Sequence, residues 1–222
     1  MTGVRTVHHA DGLAWLQANP LAPDHALVTS LPDCSEVPKL GFEGWREWFM
    51  HAAECACRAT PAESVTVFYQ TDIKYEGRWI DKAYLVSRGA EAAGSTLLWH
   101  KIVCRTQAGT TTFGRPAYAH LLCFSRDLRL TTAQSSPDVL PNMGAMPWAR
   151  AMGTAACDAV CTFLLAHTQA RGVVDPFCGH GTMLAVANQR GLDAIGVELS
   201  AKRASRARGL VADSPAARGR AP

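Results

Sequence analysis

The chain has 222 residues and a mass of 23.9 kDa, which is enough for one α/β domain with a full core and short for two. With 48% hydrophobic and 18% charged residues it is not a disordered polyelectrolyte, and no apolar run approaches the roughly 18 residues a membrane helix needs. A formal net charge of +3 permits a polyanionic partner without demanding one. The opening "MTGVRTVHHADG" lacks the basic-then-apolar layout of a signal peptide, so a cytoplasmic protein is expected.

In chain order, "VRTVHHADGLAWLQANPLAPDHALVTSLPD" reads as strand, acidic turn, short helix, proline-rich loop and a second strand, "HALVTS". Phe42, Trp45, Trp48, Phe49, Ala52 and Ala53 fall at the spacing of a helix with one buried face. After the breaker Pro61 comes the strand "SVTVFYQ", then "TDIKYEGRW" as a loop. A helix, "IDKAYLVSRGAEAAG", is ended by Gly94. "STLLWHKIV" and "AYAHLLCFS" read as buried strands separated by the polar loop "CRTQAGTTTFGRP". A further loop, 128–147, leads into the helix "WARAMGTAACDAVCTFLLAHT", with Met152, Ala156, Val160 and Phe163 on one face. The chain then gives the strand "GVVDPF", a helix from about Thr182 to Arg190 closed by Gly191, and the strand "AIGVEL".

Seven strands interleaved with about five helices, without internal repeats, predict an α/β fold: a largely parallel sheet with helices on both faces. The expected organisation is a single domain over 1–211, with a substrate half (1–127), a cofactor half (148–211) and a basic flexible tail over 212–222. Eight scattered cysteines include no pair of CxxC motifs at zinc spacing, so they read as reduced, mostly buried thiols, and no metal is assigned. His100 and Lys101 alternate along a strand and face opposite sides of the sheet. His100 is read first as a core histidine.

The chemistry concentrates in "DPFCGHGT". Asp175 ends a buried strand, and Gly179, Gly181 and Thr182 turn directly into a helix. Glycines there admit positive φ and close ligand approach, while a helix N-terminus offers unpaired N–H groups. Glu198 ends the next strand, where an acid in such folds accepts bonds from ribose hydroxyls. The third glycine of GxGxxG is missing. Asp175 and Pro176 precede the turn, and an acid there repels a pyrophosphate but can hold an ammonium group, which favours S-adenosylmethionine over NAD. The plainer alternative is a strand–turn–helix corner with no ligand.

With this loop near its C-terminal end, the chain resembles the circularly permuted S-adenosylmethionine-dependent amino-methyltransferases, the group of the adenine- and cytosine-amino DNA methylases. "HHADGLAWL" resembles that family's GD strand end, "LVTSLPD" its TSPPY turn, "LLWHKIV" its WxKPN strand, and "GRPAYAHLLCFSR" its segment around a histidine, here His120. "RAMGTAAC" stands where the family has a helix contacting the methionine end of the cofactor. The resemblance implies a Rossmann-like class I methyltransferase fold with seven strands in permuted order. It implies a cofactor site of Asp11, Asp175, Pro176, Phe177, Gly179, Gly181, Thr182 and Glu198, and a catalytic turn of Ser30, Leu31, Pro32 and Asp33.

In that turn, the Ser30 side chain and the Leu31 carbonyl would accept the two N–H bonds of a base amine and steer its lone pair. Asp33 replaces the family's stacking aromatic. Either Phe42, Trp45 or Tyr75 substitutes for it, or the acceptor is a ring nitrogen or hydroxyl with Asp33 as base. A turn-stabilising Asp is the plainer role. The twenty residues of 128–147 are too few for a base-reading module, which points away from sequence-specific duplex DNA. Arg105, Phe113 and Arg115, with Tyr75, are the expected substrate contacts, suited to an unpaired nucleotide; a plain solvated loop is the alternative that composition alone supports equally. The expectation is methylation of a nucleobase in RNA, tRNA first, or in DNA. Methylation of a small molecule or hydroxyl, and a non-catalytic nucleic-acid-binding subunit, stay open.

Overall fold

A computed structural model describes residues 2–212; most of the expected tail, 213–222, lies outside the described residues. In chain order the elements are β1 (Arg5–His9), α1 (Gly12–Ala18), β2 (His25–Thr29), α2 (Gly41–Ala59), β3 (Thr66–Gln70), β4 (Ile73–Tyr75) and β5 (Arg78–Ile80). They continue as α3 (Lys82–Ala92), β6 (Thr96–Cys104), β7 (Tyr118–Ser125), β8 (Val139–Leu140), α4 (Thr154–His167), β9 (Gly172–Asp175), α5 (Thr182–Gln189), β10 (Asp193–Glu198) and α6 (Ala201–Gly209). Eight strands form one sheet in the order β1-β10-β9-β2-β3-β7-β6-β8, and β4 and β5 pair separately. Strand β7 is antiparallel to both of its neighbours, whereas the remaining pairings of the eight-stranded sheet are parallel.

All seven expected strands lie in this sheet, but β6, expected as a buried strand, buries only Lys101 and Val103, because its outer neighbour β8 is two residues long. The stretch read as the loop "TDIKYEGRW" is instead the β4–β5 hairpin, whose turn places Glu76 at φ 48 and Gly77 at φ 77. Helix α4 begins at Thr154, later than expected, because the preceding segment crosses over its first turn. There Ala145 N–H donates to Thr154 Oγ1 at 3.0 Å, and Met143 O accepts from Ala155 N–H at 3.0 Å. Helix α6 was not expected. Ser200 caps it, and it buries only Ala204 and Ala207.

Strand alternation divides the interior into two cores. Ala26 and Val28, Val67 and Tyr69, Leu121 and Cys123 face a layer that includes Ala156, Val160, Leu164, Leu184, Ala204 and Ala207, from α4, α5 and α6. Leu27, Phe68, Leu122 and Phe124 face the opposite layer, with Leu16, Trp45, Phe49 and Val86 from α1, α2 and α3. Of the aromatic run 42–49, Trp45 and Phe49 are fully buried helix core, while Phe42 and Trp48 are half-buried. Cys57, Cys123, Cys157, Cys161 and Cys178 are buried free thiols, as expected. Lys101 ties the 128–147 segment to β6, donating to Ser136 O and Pro137 O at 3.1 and 2.8 Å. Among the described residues no helix is long and apolar enough to cross a membrane.

Candidate functional site

At the centre of the sheet, β9, β2 and β10 end side by side, and the segments leaving them enclose a cavity of about 500 Å³. Asp11, Asp175, Pro176, Phe177, Gly179, Thr182 and Glu198 line it, and Ser30, Leu31 and Pro32 line its other wall. The two stretches singled out in the sequence therefore meet across one cavity, although Ser30 and Asp175 are far apart in the chain. Their junction is direct: Thr29, which ends β2, donates its hydroxyl to Asp175 Oδ1 at 2.6 Å.

Asp175 is 1% exposed. Burial pushes its carboxyl up to about 7, with Glu198 adding repulsion, against the opposing bonds from Thr29 and Phe177 N–H. Both of those bonds fall on Oδ1, which leaves Oδ2 available to a ligand. Glu198 is buried at the end of β10, where Oε2 accepts from Gly179 N–H at 3.1 Å and Oε1 from Ser200 N–H at 2.8 Å. The acid thereby braces the glycine loop from behind. Thr182 Oγ1 is buried beside the cavity without a hydrogen-bond partner. Asp11 caps α1 through Ala14 N–H at 2.9 Å while it lines the cavity.

The glycines divide the work of the loop. Gly179 has φ +56, and a Cβ there would meet the Trp148 ring at 2.7 Å. Gly181 (φ +82) does not line the cavity; its missing Cβ lets α6 approach, with Ala207 about 3.0 Å from where that atom would sit. Gly12 admits the loop from the α1 side, since a Cβ would lie 2.1 Å from Pro176 O.

Arg150 and Met152, from the "RAMGTAAC" stretch that the resemblance set against the methionine end of the cofactor, line the cavity, whereas sequence reasoning missed Glu36, Trp48, Trp148 and Arg203, which line it too. Trp148 stacks on His180 at 4.4 Å between centroids, with the Arg203 guanidinium 5.7 Å from its ring. The only local signal was the aromatic and basic content of "PWARAM", within a stretch read as loop and helix start.

A second, polar cavity of about 50 Å³ adjoins the turn and is lined by Asp33, Tyr69, Lys82, Arg105, Arg115 and Arg150 among others. Asp33 is not free there: Oδ1 accepts from Lys82 Nζ at 2.5 Å and Oδ2 from Arg115 Nη2 at 2.8 Å. Burial lowers the Lys82 ammonium, while Asp33 works to raise it. With both carboxylate oxygens engaged by cations, the geometry fits a structural anion that positions Lys82 and Arg115 better than a general base facing a substrate. Trp45 Nε1–H donates to Pro32 O at 3.0 Å and holds the turn.

None of the suggested stand-ins for the missing stacking aromatic reaches either cavity. Trp45 is buried in the core, and Phe42 and Tyr75 stack on each other at 3.8 Å with their planes 4° apart. Phe113 is 98% exposed, with the Lys74 ammonium 5.3 Å from its ring, and it also lies outside both cavities. Arg105 and Arg115 do line the second cavity. His120 Nε2 meets Asp72 Oδ2 at 3.1 Å and His100 Nε2 meets His120 Nδ1 at 3.0 Å; His100 is exposed and not the core histidine expected, because β6 lies near the sheet edge beside only the two-residue β8. Asp72 also accepts from Lys82 N–H at 2.9 Å, and these bonds lower its carboxyl against the opposing effect of burial. Asp72, Asp81 and His120 lie close enough together to face one cation, but Asp81 is engaged in capping α3 and Asp72 in the bonds just given.

No family profile matches the chain, and no curated protein matches it in sequence. Solved structures do. TTHA0409 from Thermus thermophilus, assigned as a DNA modification methylase and complexed with S-adenosyl-L-methionine, aligns with a TM-score of 0.67 at 20% identity over 92% of each chain. The cytosine-N4-specific PvuII DNA methyltransferase aligns at 0.68 and 14% identity, over 93% of this chain and 86% of that one. M1.HpyAVI in complex with SAM aligns at 0.61 and 14%, over 92% and 98%. The chain therefore has the fold of these methylases, the fold expected from its "SLPD" and "DPFCGHGT" stretches.

Proposed function

We propose that the chain is an S-adenosylmethionine-dependent methyltransferase acting on a nucleobase, with its cofactor half placed after its substrate half in a permuted order. The observation that carries this reading is the meeting of Asp175, Glu198 and the turn at Ser30 around one cavity of about 500 Å³. The residues present fit the cofactor. The unpartnered Thr182 Oγ1, the free Oδ2 of Asp175 and the left-handed Gly179 give a cradle for a zwitterionic amino acid, and Glu198 can still accept from a ribose. When bound, S-adenosylmethionine supplies an electrophilic methyl group on a sulfonium centre. Ser30 and the Leu31 carbonyl orient the acceptor amine from the opposite wall, and the Trp45 bond to Pro32 keeps that turn rigid.

DNA is the polymer to test first, because the structural neighbours named above are DNA methylases; they lend no support to RNA. The segment 128–147 contains one short 3₁₀ turn and the two-residue β8, too little for a base-reading module. That supports unpaired rather than duplex nucleic acid. Incubating the chain with labelled S-adenosylmethionine and single-stranded DNA, duplex DNA or RNA, followed by nucleoside mass analysis, tests the reading. Label in a methylated nucleoside is expected, with single-stranded DNA the best acceptor; label in none of the three polymers would overturn it.

A further inference from the structure

The second cavity has an unusual balance of charge for a base pocket. Four cations line it, Lys82, Arg105, Arg115 and Arg150, against two carboxylates, Asp33 and Glu36. Asp33 is shared by Lys82 and Arg115, and Glu36 accepts from Arg150 at 2.9 Å, with Arg203 at 3.8 Å. Arg105 is left over. Its Nη1 donates to Pro116 O at 3.3 Å, and among the described residues it has no carboxylate partner. The cavity therefore carries a formal excess of two positive charges.

Facing the same cavity, Tyr69 is 4% exposed and its hydroxyl has no hydrogen-bond partner. An unpartnered buried hydroxyl costs about 1–3 kcal/mol, and such groups in native proteins call for an explanation. Burial pushes the Tyr69 phenol up to about 12, against the pull of Arg105, so it keeps its proton and offers an anion a donor. The free volume of about 50 Å³ holds a group the size of a few waters. That is the scale of one compact oxyanion.

We infer that this niche binds a compact oxyanion, a phosphate or a carboxylate, through Arg105, Arg115 and the Tyr69 hydroxyl, and that the methyl acceptor carries that group. That the oxyanion belongs to the acceptor rests on the methyltransferase reading; that the niche binds one does not. The turn at Ser30 and Leu31 lines both cavities, so an anion held here would anchor an acceptor whose reactive atom lies at the wall facing the cofactor cavity. Selection by charge would then replace the stacking aromatic that Asp33 displaces.

The test is calorimetric titration of the full chain with inorganic phosphate and, separately, with acetate, for the wild type, Arg105→Ala and Tyr69→Phe. S-adenosylmethionine is titrated into all three in parallel. One saturable site for at least one anion is expected, weakened about tenfold or more by Arg105→Ala, since a hydrogen bond to a charged group contributes about 1.5–3 kcal/mol. Tyr69→Phe should also weaken anion binding. It removes an unpartnered hydroxyl, so the thermal midpoint should hold or rise, and S-adenosylmethionine affinity should stay unchanged in both variants. Tighter phosphate binding identifies a phosphate-bearing acceptor, and tighter acetate binding a carboxylate-bearing one. Absence of saturable binding by either anion, or equal binding in wild type and variants, would overturn the assignment. Anion binding without S-adenosylmethionine binding would keep the niche and remove the methyltransferase reading, and the reverse result would do the opposite.

Discussion

Asp175→Asn separates the electrostatics of the site from its shape. The amide can still accept from Thr29 and Phe177 N–H, so the loop keeps its bonds. In the folded wild type the carboxyl holds its proton until about pH 7, whereas its ordinary value is 3.8. Between those values the native state binds more protons than the unfolded chain, so the wild type loses stability as pH rises through this window. The displacement corresponds to about 4 kcal/mol at 1.36 kcal/mol per pH unit. The Asn variant is neutral throughout and escapes that loss. Urea unfolding of both proteins from pH 4 to 8 reads the effect: the wild type should fall relative to the variant by up to about 4 kcal/mol, chiefly between pH 4 and 7. A difference that is flat with pH, or that grows in the wild type's favour, would refute the claim that Asp175 is buried and desolvated.

Gly12→Ala should destabilise the fold and weaken any cofactor binding, because its Cβ would lie 2.1 Å from Pro176 O; a loss of about 1–3 kcal/mol in thermal or urea unfolding is expected. Lys82→Met removes one of the two cations on Asp33 in a buried setting and should cost about 3 kcal/mol. The double variant with Asp33→Asn should recover part of that loss in the same assay. Phe113→Ala, at a side chain 98% exposed, should leave stability within about 0.5 kcal/mol. If the ring stacks on unpaired bases, single-stranded DNA binding should weaken by about 1–3 kcal/mol in a fluorescence titration.

The parts of the molecule legible in the sequence are those whose signal is local. "DPFCGHGT" marks a strand end, a left-handed glycine and a helix start within eight residues, and the structure places them so. The apolar runs of β2 and β7 foretold strands that the structure buries on both faces. Helix α6 was hidden because its buried face consists of Ala204 and Ala207 amid arginines, which blurs apolar periodicity. The β4–β5 hairpin was hidden by its three-residue strands and polar turn. Asp33 could not be understood from its own neighbourhood, because Lys82 and Arg115, the groups that decide its role, are 49 and 82 residues away in the chain. Trp148 was equally obscure: it reaches the site because the segment before α4 folds across the helix start, a tertiary arrangement without a periodic signature.

The claim that the large cavity is an S-adenosylmethionine site is tested most directly by calorimetric titration of S-adenosylmethionine into the wild type and Asp175→Asn at pH 6 and pH 8. One saturable site is expected, tighter at pH 8 because Asp175 ionises through about 7, and weaker by about tenfold or more in the variant, from loss of a charged hydrogen-bond partner. Absence of binding by the wild type, or equal binding by the variant at both pH values, would contradict it.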